Sequence, residues 1–265
     1  MRRMHTIRWV NLAAAIIQIV IAAIVAKGGF EVSSHAQPIS GHLAYAAPYV
    51  YNIWWVLFLL TIGYSLYMLF SKKEQRKKDF SKGDRLCKYT SAAFVLSSLW
   101  MILAKSFAQT LAWPLLLIIC LAYVFLFQAM LLVTHKPPQY ISWHYGLKIA
   151  PICLYAGWLG LAIFISTGTV VDVHGLTFLG LSPLQATATL LVGATILAGF
   201  ALYFTHAEIS YLVGVLWGLI GIYVGNLQPG EGRLVSDTAL GMIVVAITLY
   251  FWFRKSHPSS ASHHK

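Results

Sequence analysis

Charged residues are scarce in this sequence, and their scarcity excludes most water-soluble folds. Only 10% of the 265 residues are Asp, Glu, Lys or Arg, whereas soluble domains carry about 25%. Hydrophobic residues make up 58% of the chain, and the mean hydropathy is +0.71. The composition therefore indicates a single integral membrane domain that occupies almost the whole chain.

The sequence also lacks the motifs of common enzymes and metal sites. It contains no HExxH motif, no GxSxG motif, no phosphate-binding glycine loop and no pair of carboxylates within an apolar run. Cys87, Cys120 and Cys153 are far apart and have no metal-ligand spacing, which indicates buried, inert thiols. We therefore predict no catalytic residues, no metal site and no enzymatic activity.

Apolar runs long enough to cross a bilayer recur along the chain. A span needs about 20 apolar residues at 1.5 Å per residue. A very short polar break, Thr205 to Glu208, separates the sixth run from the seventh. The sequence predicts about eight transmembrane helices, at residues 7–26, 49–70, 89–111, 113–134, 147–166, 183–203, 209–225 and 238–253.

The distribution of basic residues predicts the orientation. Lys and Arg number 19 against 8 Asp and Glu. With eight spans, sixteen of these 19 cations fall on the side of the two termini, and only Lys27, Lys105 and Arg233 fall on the other. Cytoplasmic loops carry the excess of Lys and Arg, so both termini are predicted to be cytoplasmic.

Two basic segments have simple explanations. The segment Ser71 to Lys88 is expected to be a positive-inside loop, with recognition of anionic lipid headgroups as the alternative. The tail, residues 255–265, is expected to be a disordered, His-containing cytoplasmic segment. Because the cations lie in short segments between apolar runs, we predict the lipid bilayer as a partner and no nucleic acid.

Ionisable residues within the spans are nearly absent. Lys105 lies close to the outer end of the third span, where its amine can reach the interface, although an ion or proton role is the alternative. Polar residues at the cytoplasmic span ends are interpreted as helix caps or solvent-exposed groups: His135, His144, His206 and Glu208. A proton-coupled transporter would be expected to carry acidic residues deep in its spans, and this sequence offers none.

Small residues alternate with aromatic residues in two of the spans. Gly157 and Gly160 flank Trp158, and four glycines from Gly214 to Gly225 surround Trp217. Such patterns let helix backbones approach closely. They also line apolar ligand pockets, with groups such as Asn52, Tyr51 and Tyr155 to orient the ligand. The pattern alone leaves both interpretations open.

Two segments resemble a known family. The stretch Ala47 to Trp54, followed by Phe58, Gly63 and Tyr67, resembles the second-helix motif of the tryptophan-rich sensory protein/translocator protein (TspO/MBR) family. Pro151, Leu154 to Trp158 and Ala162 resemble the pattern of that family's last helix. The chain departs from the pattern at Ala47, Ile163 and Ser166, and it continues for three more spans. It thereby resembles the extended bacterial branch of the family.

The resemblance implies a division of the chain and a site. Residues 1–166 would form a TspO/MBR-like five-helix bundle, and residues 167–254 would add three transmembrane helices. The bundle would bind a flat hydrophobic molecule, such as a porphyrin, heme or a sterol-like lipid, without a permanent cofactor. By motif position, the ligand-binding residues would be Tyr51, Asn52, Trp54, Tyr155 and Trp158.

Three functions remain as predictions from the sequence. The first is a TspO-like binder and sensor, or a translocator, of a hydrophobic ligand in the bacterial plasma membrane, with a homodimer as its expected assembly. The alternatives are a small-solute transporter and a non-catalytic subunit of a membrane complex. A transporter is expected to show an internal repeat, and the two halves of this chain show no convincing one.

Overall fold

Eight α-helices make up most of the chain that is described in a computed structural model. That description covers residues 2–26, 46–71, 77–107, 110–134, 143, 145–177, 180–227 and 232–256. The helices are α1 (Arg2–Ala26), α2 (Ile53–Phe70), α3 (Lys77–Phe107), α4 (Ala112–Thr134), α5 (Ala150–Val173), α6 (Pro183–Phe204), α7 (Ile209–Gly225) and α8 (Arg233–Ser256). The all-α membrane fold predicted from the sequence is thereby confirmed, and no strand occurs within the described ranges.

Seven of the described helices are long and apolar enough to cross a membrane, and the protein is a multi-pass membrane protein. The exception is α7, which has 17 residues and is therefore about 26 Å long. Several predicted features lie outside the described residues: Lys27, residues 72–76 of the basic segment, His135, His144 and the tail from His257 to Lys265.

Four helices, α1, α3, α5 and α8, extend well beyond the predicted spans, and the largest extensions are at the start of α3 and the end of α5. The third span was predicted to begin at Tyr89, but α3 begins at Lys77, so most of the expected basic loop is helical. The fifth span was predicted to end at Ser166, but α5 continues to Val173. The hydroxyls of Thr167 and Thr169 donate to carbonyls four residues earlier, which satisfies these polar groups within the helix.

The predicted break between the sixth and seventh spans is confirmed. It comprises the four residues from Thr205 to Glu208, between Phe204 of α6 and Ile209 of α7. His206 and Ala207 both have left-handed backbones, with φ of 54° and 56°. The Glu208 carboxylate caps α7 by accepting from the Ser210 N–H at 3.2 Å. This turn joins α6 to α7, and α7 packs beside α5.

The helices form two rings that share α5. In the first ring the order of contact is α1, α2, α5, α4, α3 and back to α1. In the second ring α5 contacts α6 and α7, and α8 packs against both of these helices. The predicted boundary at residue 166 lies within α5. Helix α5 is thus the structural link between the first five helices and the last three.

A row of polar side chains on α1 forms contacts with α2 and α3. The fully buried Arg8 side chain forms an ion pair with Asp84 of α3 at 3.1 Å and donates to the Met68 carbonyl of α2 at 2.9 Å. One turn further along, the Asn11 amide donates to Ser65 and accepts from Thr90. Arg8, one of the sixteen cations counted on the side of the termini, is therefore a buried contact between three helices.

Lys105 lies at the far end of the same interface. Its side chain is exposed in the last turn of α3, and its amine donates to the Val25 carbonyl at 2.5 Å. Val25 belongs to the last turn of α1, where carbonyls lack partners within the helix. This position agrees with the interfacial interpretation of Lys105.

Candidate functional site

Four of the five predicted site residues, Tyr51, Trp54, Tyr155 and Trp158, lie together near the start of α2. The Trp54 ring centroid lies 5.9 Å from that of Tyr155 and 5.9 Å from that of Trp158, edge to face in both pairs. The Tyr51 ring lies 6.5 Å from the Trp158 ring. Since α2 contacts α5 within the first ring of helices, the two motifs that carry the family resemblance meet in space.

Three further aromatic side chains complete this group. Trp54 stacks on Phe58 at 5.5 Å and on Trp100 of α3 at 6.1 Å, and Phe94 stacks on Tyr155 at 6.2 Å. We call the seven residues Tyr51, Trp54, Phe58, Phe94, Trp100, Tyr155 and Trp158 the aromatic cluster. Each ring pair in this geometry contributes about 0.5–1.5 kcal/mol beyond its buried area.

Trp100 and Phe94 were not predicted as site residues, although the sequence contains a signal for Trp100. Tryptophans near span ends are explained by the preference of indoles for the headgroup region. Trp100 instead follows Ser97 and Ser98 inside the third span. An indole N–H within the hydrocarbon needs a polar partner, which distinguishes this tryptophan from an interfacial one.

Gln18 of α1 brings a polar group to the cluster. The side chain is fully buried, and its Nε2 donates to the Tyr155 hydroxyl at 2.5 Å. An amide in the middle of an apolar helix signals such a contact, because its desolvation is costly without a partner.

Asn52, the fifth predicted site residue, is exposed and lies away from the cluster. It belongs to a 3-10 turn, Pro48–Asn52, that leads directly into α2. Adjacent residues of such a turn point about 120° apart, since the turn has three residues per revolution. Tyr51 and Trp54 face the bundle, so Asn52 points elsewhere.

Four buried polar atoms of the described side chains have no hydrogen-bond partner, and all four belong to this region. They are Gln18 Oε1, Ser97 Oγ, Trp100 Nε1 and Trp158 Nε1. Leaving such an atom unpaired costs about 1–3 kcal/mol. The aromatic cluster and the neighbouring Gln18 and Ser97 side chains thus combine apolar ring surface with four unpaired polar atoms: two indole donors, one amide acceptor and the Ser97 hydroxyl. None of these side chains is charged.

A second buried polar group lies between α5 and α7. The Tyr145 hydroxyl, in the π-helical turn before α5, donates to Glu208 at 2.5 Å and lies 2.6 Å from the Ser210 hydroxyl. The Glu208 side chain is buried, so capping is the correct interpretation of this residue and solvent exposure is not. His206, in contrast, is exposed as expected.

The described residues bring together no group of three or more His, Cys, Asp or Glu side chains that could hold a metal ion. Cys87 and Cys153 are buried, whereas Cys120 is half-buried.

Comparison with known proteins adds one finding. A family model described as "TSPO-like protein" matches residues 8–252, which extends from α1 to α8. No curated protein and no solved structure matches the chain. The match is not confined to residues 1–166, the part that carries the motif resemblance, but includes α6, α7 and most of α8.

Proposed function

This chain belongs to the TSPO-like protein family, and from that premise we propose that its aromatic cluster binds a flat hydrophobic molecule with polar edges. The candidate ligands are a porphyrin, heme or a sterol-like lipid. The observation that supports the proposal is the set of unpaired polar atoms among the rings. Ligand sites combine an apolar lining with a few polar groups that fix orientation.

The chemistry of the unpaired atoms favours a ligand that has both hydrogen-bond acceptors and a donor. The indole N–H groups of Trp100 and Trp158 can donate to a carboxylate or carbonyl, and Gln18 Oε1 can accept from a pyrrole N–H. A tetrapyrrole with carboxylate side chains offers all of these groups on one flat frame. A ligand of that kind would also gain ring contacts with Trp54 and Tyr155.

The proposed role is binding, with sensing or passage of the ligand as its consequence. The cluster offers rings, amide and hydroxyl groups but no nucleophile with an adjacent base, so we propose a non-enzymatic protein. The proposed location is the bacterial plasma membrane with both termini in the cytoplasm, and the proposed assembly is a homodimer. The resident partners would be the bilayer and the hydrophobic ligand.

Titration of the purified protein with protoporphyrin IX tests the site. Trp158→Phe and Trp100→Phe keep an aromatic ring but remove the indole N–H, so each is expected to raise Kd about fivefold, the equivalent of about 1 kcal/mol for one hydrogen bond. Trp252→Phe is the matched control, because Trp252 is 69% exposed on α8. Binding is measured from the porphyrin absorbance at increasing protein concentration in detergent.

A porphyrin without carboxylate groups separates the polar contribution from ring stacking. We expect it to bind more weakly than protoporphyrin IX and to show little response to Trp158→Phe. Titrations that do not saturate, or that are the same for all three tryptophan variants and the parent protein, would show partition into the micelle and contradict the proposal.

A further inference from the structure

Helix α7 approaches α5 more closely than side chains would allow. A Cβ atom added at Gly157 would lie 2.2 Å from the Tyr211 carbonyl oxygen, and one at Gly214 would lie 2.4 Å from the Leu154 carbonyl oxygen. One turn further along, a Cβ at Gly218 would lie 3.3 Å from the Trp158 ring. Glycines on both helices thus place α7 against the wall of the aromatic cluster.

The same face of α7 holds the 3-10 turn that carries Tyr51. The Trp217 indole donates to the Val50 carbonyl at 2.8 Å, and the Ala47 N–H donates to the Gly221 carbonyl at 2.9 Å. The Val50 side chain is fully buried and fills the notch left by Gly221. The Trp217 ring also meets the Tyr49 ring edge to face at 6.0 Å.

Among the described elements, this turn packs mainly against α2, into which it continues, and against α7. The position of Tyr51 relative to Trp158, and the angle at which Trp54 enters the cluster, therefore depend in part on α7.

We propose that Trp217 is a positioning residue for the ligand site, and that α7 fixes the 3-10 turn so that Tyr51 and Trp54 are held against Trp158. The expected effect on ligand binding rests on the proposed function, whereas the positioning of the 3-10 turn by α7 does not. It gives α7 a role in the site, although no α7 side chain belongs to the aromatic cluster. Rigid placement of contact groups raises affinity because less ordering is required when the ligand binds.

The binding test uses a double-mutant cycle with protoporphyrin IX. Trp217→Phe keeps the ring but removes the donor to Val50, and we expect Kd to rise about fivefold, mainly through faster dissociation. If Trp217 acts through the turn, the same substitution in a Tyr51→Leu background should raise Kd by less than it does in the parent protein, and the remaining effect would act through Trp54. Equal effects in both backgrounds would show a general loss of stability and overturn the inference. Trp252→Phe is again the matched control.

A spin-label experiment tests the structural part without any ligand. The exposed Asn52 is replaced by cysteine and labelled, with the half-buried Cys120 replaced by serine to limit background. We expect Trp217→Phe to increase label mobility, and Gly221→Ala, which displaces Val50, to do the same. Trp252→Phe and Gly241→Ala should leave it unchanged, since a Cβ at Gly241 meets nothing within 4 Å.

The two failures are distinguishable. Unchanged label mobility in both α7 variants would overturn the positioning role whatever the ligand. An absence of saturable porphyrin binding in the parent protein, with increased mobility in Trp217→Phe, would overturn the proposed function and leave the positioning of the turn intact.

Discussion

Replacing Gly157 by alanine is expected to lower the free energy of unfolding by about 3 kcal/mol, at the upper part of the range for over-packed sites. The added methyl group would lie 2.2 Å from a backbone oxygen of Tyr211, and a backbone atom cannot rotate away as a flexible side chain can. Helices α5 and α7 would have to separate. The measurement is equilibrium unfolding in mixed micelles of increasing SDS fraction, followed by circular dichroism.

Gly241→Ala is the matched control for that substitution. Gly241 is also a helical glycine, on α8, but an added Cβ there meets no atom within 4 Å. The substitution is expected to be neutral or to stabilise the helix by about 0.5–1 kcal/mol. Equal unfolding curves for Gly157→Ala and Gly241→Ala would show that α5 and α7 do not make the close contact described above.

The substitution Arg8→Met is expected to cost about 3 kcal/mol of stability. It leaves Asp84, whose side chain is only 15% exposed, without its cation and removes the donor to the Met68 carbonyl. Removing one partner of a buried ion pair is costly because the remaining charge stays desolvated. The cost lies at the lower end of the usual range because Asp84 reaches some solvent. The same unfolding assay measures it.

An exposed ion pair in the same chain provides the comparison. Arg233 and Asp237 lie 3.7 Å apart on α8 with side chains 83% and 66% exposed. Surface pairs of this kind contribute about 0–1 kcal/mol, so Arg233→Met should change stability little. The double variant Arg8→Met with Asp84→Leu should recover part of the loss, since no charge is then left buried. If Arg8→Met destabilises no more than Arg233→Met, Arg8 is not buried as described.

The number and approximate positions of the helices followed from hydropathy, because each apolar run must satisfy its backbone groups internally within the bilayer. The errors were at helix ends. The charge-rich segment 77–88 was predicted as a loop, yet α3 extends through it, and Asp84 of this segment forms an ion pair with Arg8 of α1. The composition of the sequence alone did not show that Asp84 would pair with Arg8.

The candidate site was predicted in part, and only where sequence motifs carried it. Tyr51, Trp54, Tyr155 and Trp158 lie together as the motif positions indicated. Gln18 and Trp100 come from α1 and α3, which carry no such motif, and their contribution depends on how the ring of helices closes. Asn52 was included by motif position as a polar contact for the ligand, but the geometry of the 3-10 turn directs it outwards.

The sequence by itself determined that this protein is a helical membrane protein, because apolar length and scarce charge leave no other stable solution. The family match over residues 8–252 confirmed the resemblance that the motifs of α2 and α5 had indicated. Only the tertiary structure decided what α7 contacts. Hydropathy shows only that a helix can lie in lipid. The space left by the glycines and the hydrogen bond donated by the Trp217 indole contribute to packing only when a particular neighbour is in place. That neighbour is the turn before α2, more than 150 residues earlier in the chain.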